Sequence, residues 1–275
     1  MQVAEGEFLP EMRNYDTIYP KETGVSMSKN KTKKNKKKSD VIFKIIIAVL
    51  VCVICVSGYK VGTILWQYHQ GDKAYKQVEK VAGTEKSNDK VDFAALAKKY
   101  KNVKAWLYNK GTVINYPVVQ GDNNSFYLTH MVTGAYNGRG SLFIDYRNQK
   151  PFTGDFLTVI YGHRMKDGSM FHSLIEYRDH SYYEKHPVMK LTTPSAKYDV
   201  VIFAAVTIPA ESSKYKFSFS STAEKQAYLN WIQGKTELKT GVSVSPSDKI
   251  VMMSTCTYEF DEARLVVYGK LVKKG

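Results

Sequence analysis

The apolar residues of this chain form one long run and then, after a polar stretch, a series of short runs. The long run extends from Val41 to Trp66, and Lys44 is the only charged residue between Val41 and Gly58. A helix of roughly 20 apolar residues is long enough to cross a bilayer. No small-x-small cleavage site precedes a polar mature start, so the run predicts an uncleaved transmembrane anchor rather than a signal peptide.

The short apolar runs after Gly111 are rich in β-branched and aromatic residues and are bounded by Gly, Pro and Asp. Their length and spacing are typical of an all-β fold. They predict strands at 112–119, 140–145, 157–161, 249–255 and 264–272, and a hairpin over 188–208 that turns at 193–196. Seven or eight strands with inserted helices indicate a mostly β protein built as a closed barrel.

Two helices are predicted in the part of the chain that follows the anchor. Asp92 caps the first, whose approximate apolar face consists of Phe93, Leu96, Tyr100, Trp106 and Leu107. Ser221 and Glu224 form a capping box that opens the second helix, ahead of the strand at 249–255. Residues 67–91 are polar and rich in Lys and Glu, and they predict a partly helical stalk.

The charge of the chain is concentrated next to the anchor. The formal net charge is +14, and seven of the ten residues 29–38 are lysine. A lysine run directly before an apolar span keeps the N-terminal side in the cytoplasm. We therefore expect residues 1–40 to be a cytoplasmic tail and the residues after about 67 to be exported. Because the densest basic cluster is explained by the orientation of the anchor in the membrane, nucleic-acid binding is not expected.

Three cysteines differ in what their surroundings allow. Cys52 and Cys55 lie inside the anchor without His or Asp partners, so we interpret them as small apolar residues despite their C-x-x-C spacing. Cys256 is the only cysteine of the exported part. A lone exported cysteine is either buried and inert or a reactive centre.

A reactive cysteine needs a base, and acyl transfer also needs a donor for the developing oxyanion. Among the six histidines, His163 ends an apolar strand and projects from a rigid element into a loop, where catalytic groups are often found. The other five are expected to be exposed or locally bonded. Arg264 begins the strand after Cys256, and the short connection predicts antiparallel neighbours with both residues at one level. The alternative role for Arg264 is an ion pair with Asp261 or Glu262.

Four segments together resemble the class B sortases, which are cysteine transpeptidases on the surface of Gram-positive bacteria. The segments are "INYPVVQGDNNSFYL", "LFIDYRN", "YGHRMKDGSMF" and "STCTYEFDEARLVVYG". The resemblance extends from about residue 92 to the C-terminus. It implies a closed eight-stranded sortase-type β-barrel with an N-terminal helical appendage, and an insertion at about 208–247 that carries the helix before the seventh strand. The implied division is tail 1–40, anchor 41–66, stalk 67–91 and catalytic domain 92–275.

The resemblance also implies an activity and a set of residues. The enzyme would cleave a sorting motif of secreted proteins after Thr, form a thioester, and pass the protein to an amine of a peptidoglycan precursor. It implies a single-pass plasma-membrane protein with an extracellular catalytic domain, and neither a cofactor nor a metal is expected. Cys256 would be the nucleophile, His163 the general acid and base, and Arg264 the holder of the oxyanion. The substrate-binding residues would be Asn124, Leu128, Ser254 and Tyr215.

Some alternatives stay open on the sequence. Leu128 could instead pack in the core, and Ser254 could be an ordinary strand hydroxyl. Asp145 could orient Arg147 or support the barrel, and it is not expected to be catalytic. The rival functions are a surface cysteine protease or amidase that uses water as acceptor, a pilin-polymerising sortase, and a non-catalytic adhesion barrel in which Cys256 only packs.

Overall fold

The computed structural model describes residues 30–84, 90–257 and 261–275, and the expected cytoplasmic tail lies largely outside these residues. The helices are α1 Asn30–Ala82, α2 Phe93–Lys99, α3 Phe126–Thr129, α4 His180–Lys185 and α5 Thr222–Lys235, with a 3-10 helix at His172–Arg178. The strands are β1 Val103–Tyr108, β2 Asn115–Gln120, β3 Leu142–Ile144, β4 Leu157–Tyr161, β5 Val188–Thr192, β6 Lys197–Pro209, β7 Lys249–Cys256 and β8 Ala263–Lys273.

The chain divides into two compact units, one up to Tyr59 and one from Lys60 to Gly275. In the first unit the described residues all belong to helix α1. In the described part of the chain, one helix, Ser39–Ala82, is long and apolar enough to cross a membrane. Its apolar side chains from Val41 to Trp66 are exposed, as a segment surrounded by lipid would require. The predicted anchor therefore corresponds to a candidate membrane span.

The second unit is a closed barrel with the strand order β1-β2-β3-β4-β7-β8-β6-β5. Closure follows from β1, which pairs antiparallel with both β2 and β5. The barrel is mixed, because β2 pairs parallel with β3 and β4 pairs parallel with β7. The expected eight-stranded sortase-type barrel, with a helix before the seventh strand, is confirmed.

The helix predicted after Asp92 is correct at its start and wrong at its end. The Asp92 carboxylate accepts from the Ala95 backbone N–H, as a cap should, but the helix stops at Lys99. Trp106 and Leu107 lie in β1, where both are buried and pair with β2 and β5. Their spacing also fits a helical face. The residues form a strand instead because barrel closure supplies hydrogen-bonding partners on both edges of β1.

The interior of the second unit contains residues from the helices as well as from the strands. The C-terminal part of α1 contributes Tyr75, Val78 and Ala82 to the main core cluster. A second cluster joins Tyr228, Leu229 and Ile232 of α5 to apolar residues of β6, β7 and β8. These helices form the N-terminal appendage and the insertion that flank the barrel.

Helix α5 begins where the capping box predicts. Ser221 Oγ accepts from the Glu224 backbone N–H at 3.1 Å, and the Glu224 carboxylate accepts from the Ser220 backbone N–H and binds Lys216. The segment between Pro209 and this helix places Tyr215 beside β7, where its hydroxyl bonds to Ser254.

Candidate active site

A cleft of about 270 Å³ opens where β4 and β7 end and β8 begins. The structure brings all seven sequence-predicted site residues to its wall, and their roles stay predictions. The lining residues are Asn124, Leu128, Phe143, Tyr161, Gly162, His163, Ala210, Tyr215, Ser254, Thr255, Cys256 and Arg264.

Cys256 and Arg264 are direct partners across the antiparallel pair of β7 and β8. Cys256 is the last residue of β7, and Arg264 is the second residue of β8. The expectation that the short loop returns Arg264 to the level of Cys256 is confirmed. The thiol is partly exposed, so a molecule in the cleft can reach it.

Arg264 also makes the ion pair that the sequence offered as an alternative. Its Nη2 donates to Glu262 at 2.9 Å and its Nη1 donates to the Ala263 carbonyl at 3.1 Å. Glu262 has a positive φ of 59° in the turn, and its side chain is 76% exposed. Exposed pairs of this kind are worth roughly 0–1 kcal/mol. A guanidinium has further N–H donors, so this pair leaves it able to bind an oxygen in the cleft.

His163 reaches the same edge of the sheet as Cys256 because β4 and β7 run parallel. Tyr161 pairs with Ser254, and the Gly162 N–H donates to the Ser254 carbonyl at 3.1 Å. His163 and Cys256 each lie two residues beyond these partners, so both emerge at the same end of the strand pair. The His163 Nε2 lies 2.7 Å from the Leu128 carbonyl. A carbonyl can only accept, so Nε2 carries a proton in this arrangement.

Four other histidines have the local partners that were expected. His130 stacks on Phe126 at 4.1 Å, and His172 bonds to the Met165 carbonyl. His186 bonds to the Lys110 carbonyl, and His180 lies 3.6 Å from Glu184. None of these four lines the cleft that contains Cys256, whereas His163 does.

The four expected substrate-binding residues differ in how far they are exposed. Leu128 is 41% exposed, so the alternative in which it packs in the core is wrong. Ser254 is 2% exposed, and its hydroxyl bonds to Tyr215 at 2.8 Å. Burial raises the pKa of Tyr215, although the Ser254 bond and nearby Arg264 oppose that shift. Tyr215 therefore stays a neutral donor or acceptor at the cleft.

The sequence leaves two roles open for Asp145, orienting Arg147 and supporting the barrel. In the structure it does both. Its fully buried carboxylate accepts from Asn124 Nδ2 at 2.8 Å, from Tyr161 OH at 2.9 Å, and from Arg147 through Nε and Nη2. The Arg147 guanidinium lies 4.0 Å from the ring centre of Phe217 in the insertion. Asp145 thus joins the segment before α3, strand β4 and the insertion behind the cleft.

The electrostatics of Asp145 follow from these bonds. Burial raises the pKa of its carboxyl, but the bonds from Arg147, Asn124 and Tyr161 outweigh burial and hold the pKa below its usual range. Burial and the neighbouring Asp145 charge raise the pKa of Tyr161, so its phenol remains a donor. The amide of Asn124 is fixed in orientation, because its Oδ1 also accepts from the Tyr146 N–H at 3.1 Å.

Five lining residues are not among the sequence-predicted ones: Phe143, Tyr161, Gly162, Ala210 and Thr255. Tyr161 ends the apolar strand before Gly162-His163, and its position beside a candidate catalytic residue was the available signal. Thr255 precedes Cys256, and its buried Oγ1 has no hydrogen-bond partner among the described residues. Within the described residues no group of three His, Cys, Asp or Glu side chains is arranged to hold a metal ion.

Comparisons with known proteins agree on one family. The sequence profile of the family described as "Sortase domain" matches residues 109–272. Sortase B of Listeria monocytogenes is 34% identical over 234 residues, which is 82% of this chain and 95% of that protein. Sortase B of Staphylococcus aureus is 28% identical over 230 residues, 82% of this chain and 94% of that protein.

Solved structures give the same result. A sortase B–substrate complex from Staphylococcus aureus superposes with a TM-score of 0.70 at 28% identity, covering 76% of this chain and 100% of that one. Sortase B from B. anthracis in complex with AAEK1 gives a TM-score of 0.69 at 33% identity, covering 77% of this chain and 100% of that one.

The fold and these similarities define a cysteine transpeptidase. The chain belongs to the sortase family, and its relatives and structural neighbours are of class B. Attachment of proteins to the cell wall is the activity of that family.

The first prediction tests Asp145. Asp145→Asn should lower the free energy of unfolding by about 1–3 kcal/mol, because buried donors lose a charged acceptor. The KM for a cleavable peptide should rise more than kcat falls, since Asn124 loses its fixed orientation. Asp199→Asn is the matched control, because Asp199 pairs with the half-exposed Lys274 and should cost about 0–1 kcal/mol. Denaturant unfolding and steady-state kinetics measure both effects, and equal destabilisation of the two variants would contradict the role of Asp145.

The pH dependence of stability gives the same test a second measurement. Because the folded-state pKa of Asp145 is lowered, its contribution is present above the ordinary carboxyl pKa and is lost as pH falls through the lowered value. The wild-type chain should therefore lose stability more steeply than Asp145→Asn as the pH falls below about 4, the ordinary carboxyl pKa. Parallel curves would contradict this assignment.

Proposed function

We propose that this protein is a membrane-anchored class B sortase that cleaves a C-terminal sorting motif after Thr and transfers the protein to an amine of a cell-wall precursor. The observation that carries the proposal is that Cys256, His163 and Arg264 line one cleft on the ends of three paired strands. Cys256 and Arg264 are cross-strand partners, so a carbonyl carbon near the sulfur has its oxygen close to the guanidinium.

The first half-reaction is attack by the Cys256 thiolate on the Thr carbonyl carbon of the sorting motif. The carbonyl oxygen becomes an oxyanion, and Arg264 stabilises it because its guanidinium stays charged and offers fixed donors. His163 gives a proton to the departing amine nitrogen as the C–N bond breaks. With Nε2 bonded to Leu128, Nδ1 is the ring nitrogen left to carry that proton. A thioester between Thr and Cys256 remains.

The second half-reaction resolves the thioester. An amine of the peptidoglycan precursor attacks the same carbonyl carbon, and His163 accepts the proton that the amine loses. Arg264 again holds the oxyanion, the C–S bond breaks, and the thiolate is regenerated. Water would give the hydrolysed protein instead, so the choice of acceptor decides between a transpeptidase and a protease.

The sorting peptide would lie along the cleft wall formed by Asn124, Leu128, Ser254 and Tyr215. Leu128 presents an exposed apolar side chain, and the other three present polar atoms in fixed positions. A cleft with an apolar surface and a few oriented polar groups is suited to an extended peptide. The S. aureus sortase B of similar fold has been solved as a complex with a substrate, which supports a substrate-binding role for the corresponding cleft here.

The proposed arrangement in the cell follows from the lysine run and the apolar helix. Residues 1–40 would be the cytoplasmic tail, 41–66 the anchor, 67–91 the stalk and 92–275 the extracellular catalytic domain. Protease added to intact cells after removal of the wall should digest the part after residue 67 and spare the lysine-rich tail. Complete protection of the catalytic domain would contradict this orientation.

The nucleophile is tested by Cys256→Ala in the full chain. Cleavage of a sorting peptide, followed by mass spectrometry, should be abolished, while thermal unfolding should change little because the partly exposed thiol fills little core volume. Cys52→Ala is the matched control and should keep full activity. More than a few per cent of residual cleavage in Cys256→Ala would contradict the assignment.

The same assay separates transfer from hydrolysis. Addition of an amine nucleophile should convert the product from the free acid to the amide and raise turnover, because the amine resolves the thioester. If the acid is the only product at every amine concentration, the protein acts as a protease with this peptide.

A further pair of variants separates the roles of His163 and Arg264. Arg264→Lys keeps the charge but loses the planar guanidinium with its fixed N–H donors. The rate of peptide cleavage should therefore fall on the order of 10²–10³-fold. Its Cys256 should still react with a small thiol reagent at the wild-type rate. His163→Ala should abolish acyl transfer and also change the pH dependence of alkylation, because the imidazole is the titrating partner. Identical alkylation profiles, or full activity of Arg264→Lys, would overturn this division of roles.

A further inference from the structure

Arg139 is a buried cation outside the cleft, and the proposed catalytic steps do not use it. Its side chain is 3% exposed and lies between two carboxylates. Nη1 bonds to Asp72 of α1 at 2.6 Å, and Nη2 bonds to Asp167, in the loop after His163, at 2.7 Å. Gly71 makes room for it, since a Cβ there would lie 3.1 Å from the Arg139 Cζ. A buried charge with this fit requires a physical explanation.

One partner of Arg139 belongs to the loop that starts at His163. That loop is closed at its base by the Phe171 N–H, which donates to the His163 carbonyl at 3.0 Å. At its tip, Asp167 Oδ1 accepts from the Ser169 N–H at 3.0 Å and from its hydroxyl at 2.6 Å. Asp167 Oδ2 is then held by Arg139. Arg139 therefore fixes the tip of a short loop whose base is the backbone of His163.

The backbone next to Arg139 holds the other contact of His163. Gly140, at φ 60°, packs so closely that a Cβ would lie 2.5 Å from the Tyr127 carbonyl and 2.7 Å from the Leu128 carbonyl. The Ser141 N–H donates to the Tyr127 carbonyl at 2.9 Å. The Leu128 carbonyl is the acceptor of the His163 imidazole. The segment that contains Arg139 thus supports the atom to which the imidazole bonds.

From these two connections we infer that Arg139 is a positioning residue for His163. Through Asp167 it fixes the loop that carries the histidine backbone, and through the Gly140 backbone it supports the carbonyl that orients the imidazole. Asp72 holds Arg139 from α1, but Asp72 is 58% exposed, whereas Asp167 is 20% exposed. The pair with Asp167 is therefore less screened by solvent than the pair with Asp72. The inference rests on the proposed role of His163 as acid and base.

The experiment compares Asp167→Asn with Asp72→Asn in the full chain in detergent. Asp167→Asn should lower kcat for peptide cleavage by roughly 10–100-fold, because a small displacement of a catalytic group has effects of that size. KM should stay within about two-fold, since the peptide-binding wall is not touched. Asp72→Asn should leave both constants near the wild-type values. Asp167→Glu keeps the charge and should recover part of the lost kcat.

A spectroscopic measurement reports on His163 without requiring activity. In the chain labelled with ¹⁵N-histidine, the His163 Nε2–H resonance, assigned by its loss in His163→Ala, reports the bond to Leu128. It should shift or broaden in Asp167→Asn and stay in place in Asp72→Asn. If Asp167→Asn does not fold, Ser169→Ala weakens the same loop tip with a smaller change and should shift the resonance in the same direction.

The outcomes separate this inference from the proposed function. If Asp167→Asn and Asp72→Asn lower the thermal midpoint alike, with unchanged kcat and unchanged His163 resonance, Arg139 only stabilises the fold and the inference is wrong. The same holds if the resonance in Ser169→Ala stays at the wild-type position. If His163→Ala retains activity while the resonance shifts in Asp167→Asn, the positioning is correct and the proposed role of His163 is wrong.

Discussion

The parallel pairing of β4 with β7 is the constraint on which the site depends. It joins strands far apart in the sequence and sets Tyr161 opposite Ser254, so that His163 and Cys256 emerge together two residues later. A slip of one residue would turn the side chains of one strand to the opposite face. Buried residues on both strands hold the register, including Val159 and Met252. The adjacent β7–β8 pair then adds Arg264, because Cys256 and Arg264 are partners in it.

The buried carboxylate of Asp145 fixes the side-chain orientations of Asn124, Arg147 and Tyr161, which strand pairing alone does not set. Burial of a charge is costly, and here donors from Arg147, Asn124 and Tyr161 offset the cost. These donors come from the loop after β3, from the segment before α3 and from β4. Because Arg147 also lies against Phe217, the insertion is attached to the same charge. The wall of the cleft therefore keeps one geometry, as a site that must align a peptide bond with a thiolate requires.

Local signals in the sequence predicted most elements and the Cys256–Arg264 register, because a short loop between two strands leaves few arrangements. The capping box at Ser221 is equally local. Strand β1 was missed, since Trp106 and Leu107 fit a helical face as well as a strand and barrel closure alone decides between them. The bonds of Asp145 to Asn124 and Tyr161, and the carboxylates that hold Arg139, are set by tertiary packing of segments distant along the chain. No pattern of spacing encodes such contacts, so they become visible only in the folded barrel.

Two buried charges of opposite sign lie next to residues that line the cleft, and these residues belong to one short segment. Asp145 orients Asn124, while the backbone beside Arg139 supports the Leu128 carbonyl that bonds to His163. Asn124 and Leu128 are only four residues apart: Asn124 precedes α3 and Leu128 lies within it. A displacement of this segment would move the cleft-lining side chain of Asn124 and the carbonyl acceptor of the His163 imidazole together. Under the proposed function, substrate alignment and proton transfer would therefore depend on the same few residues of backbone.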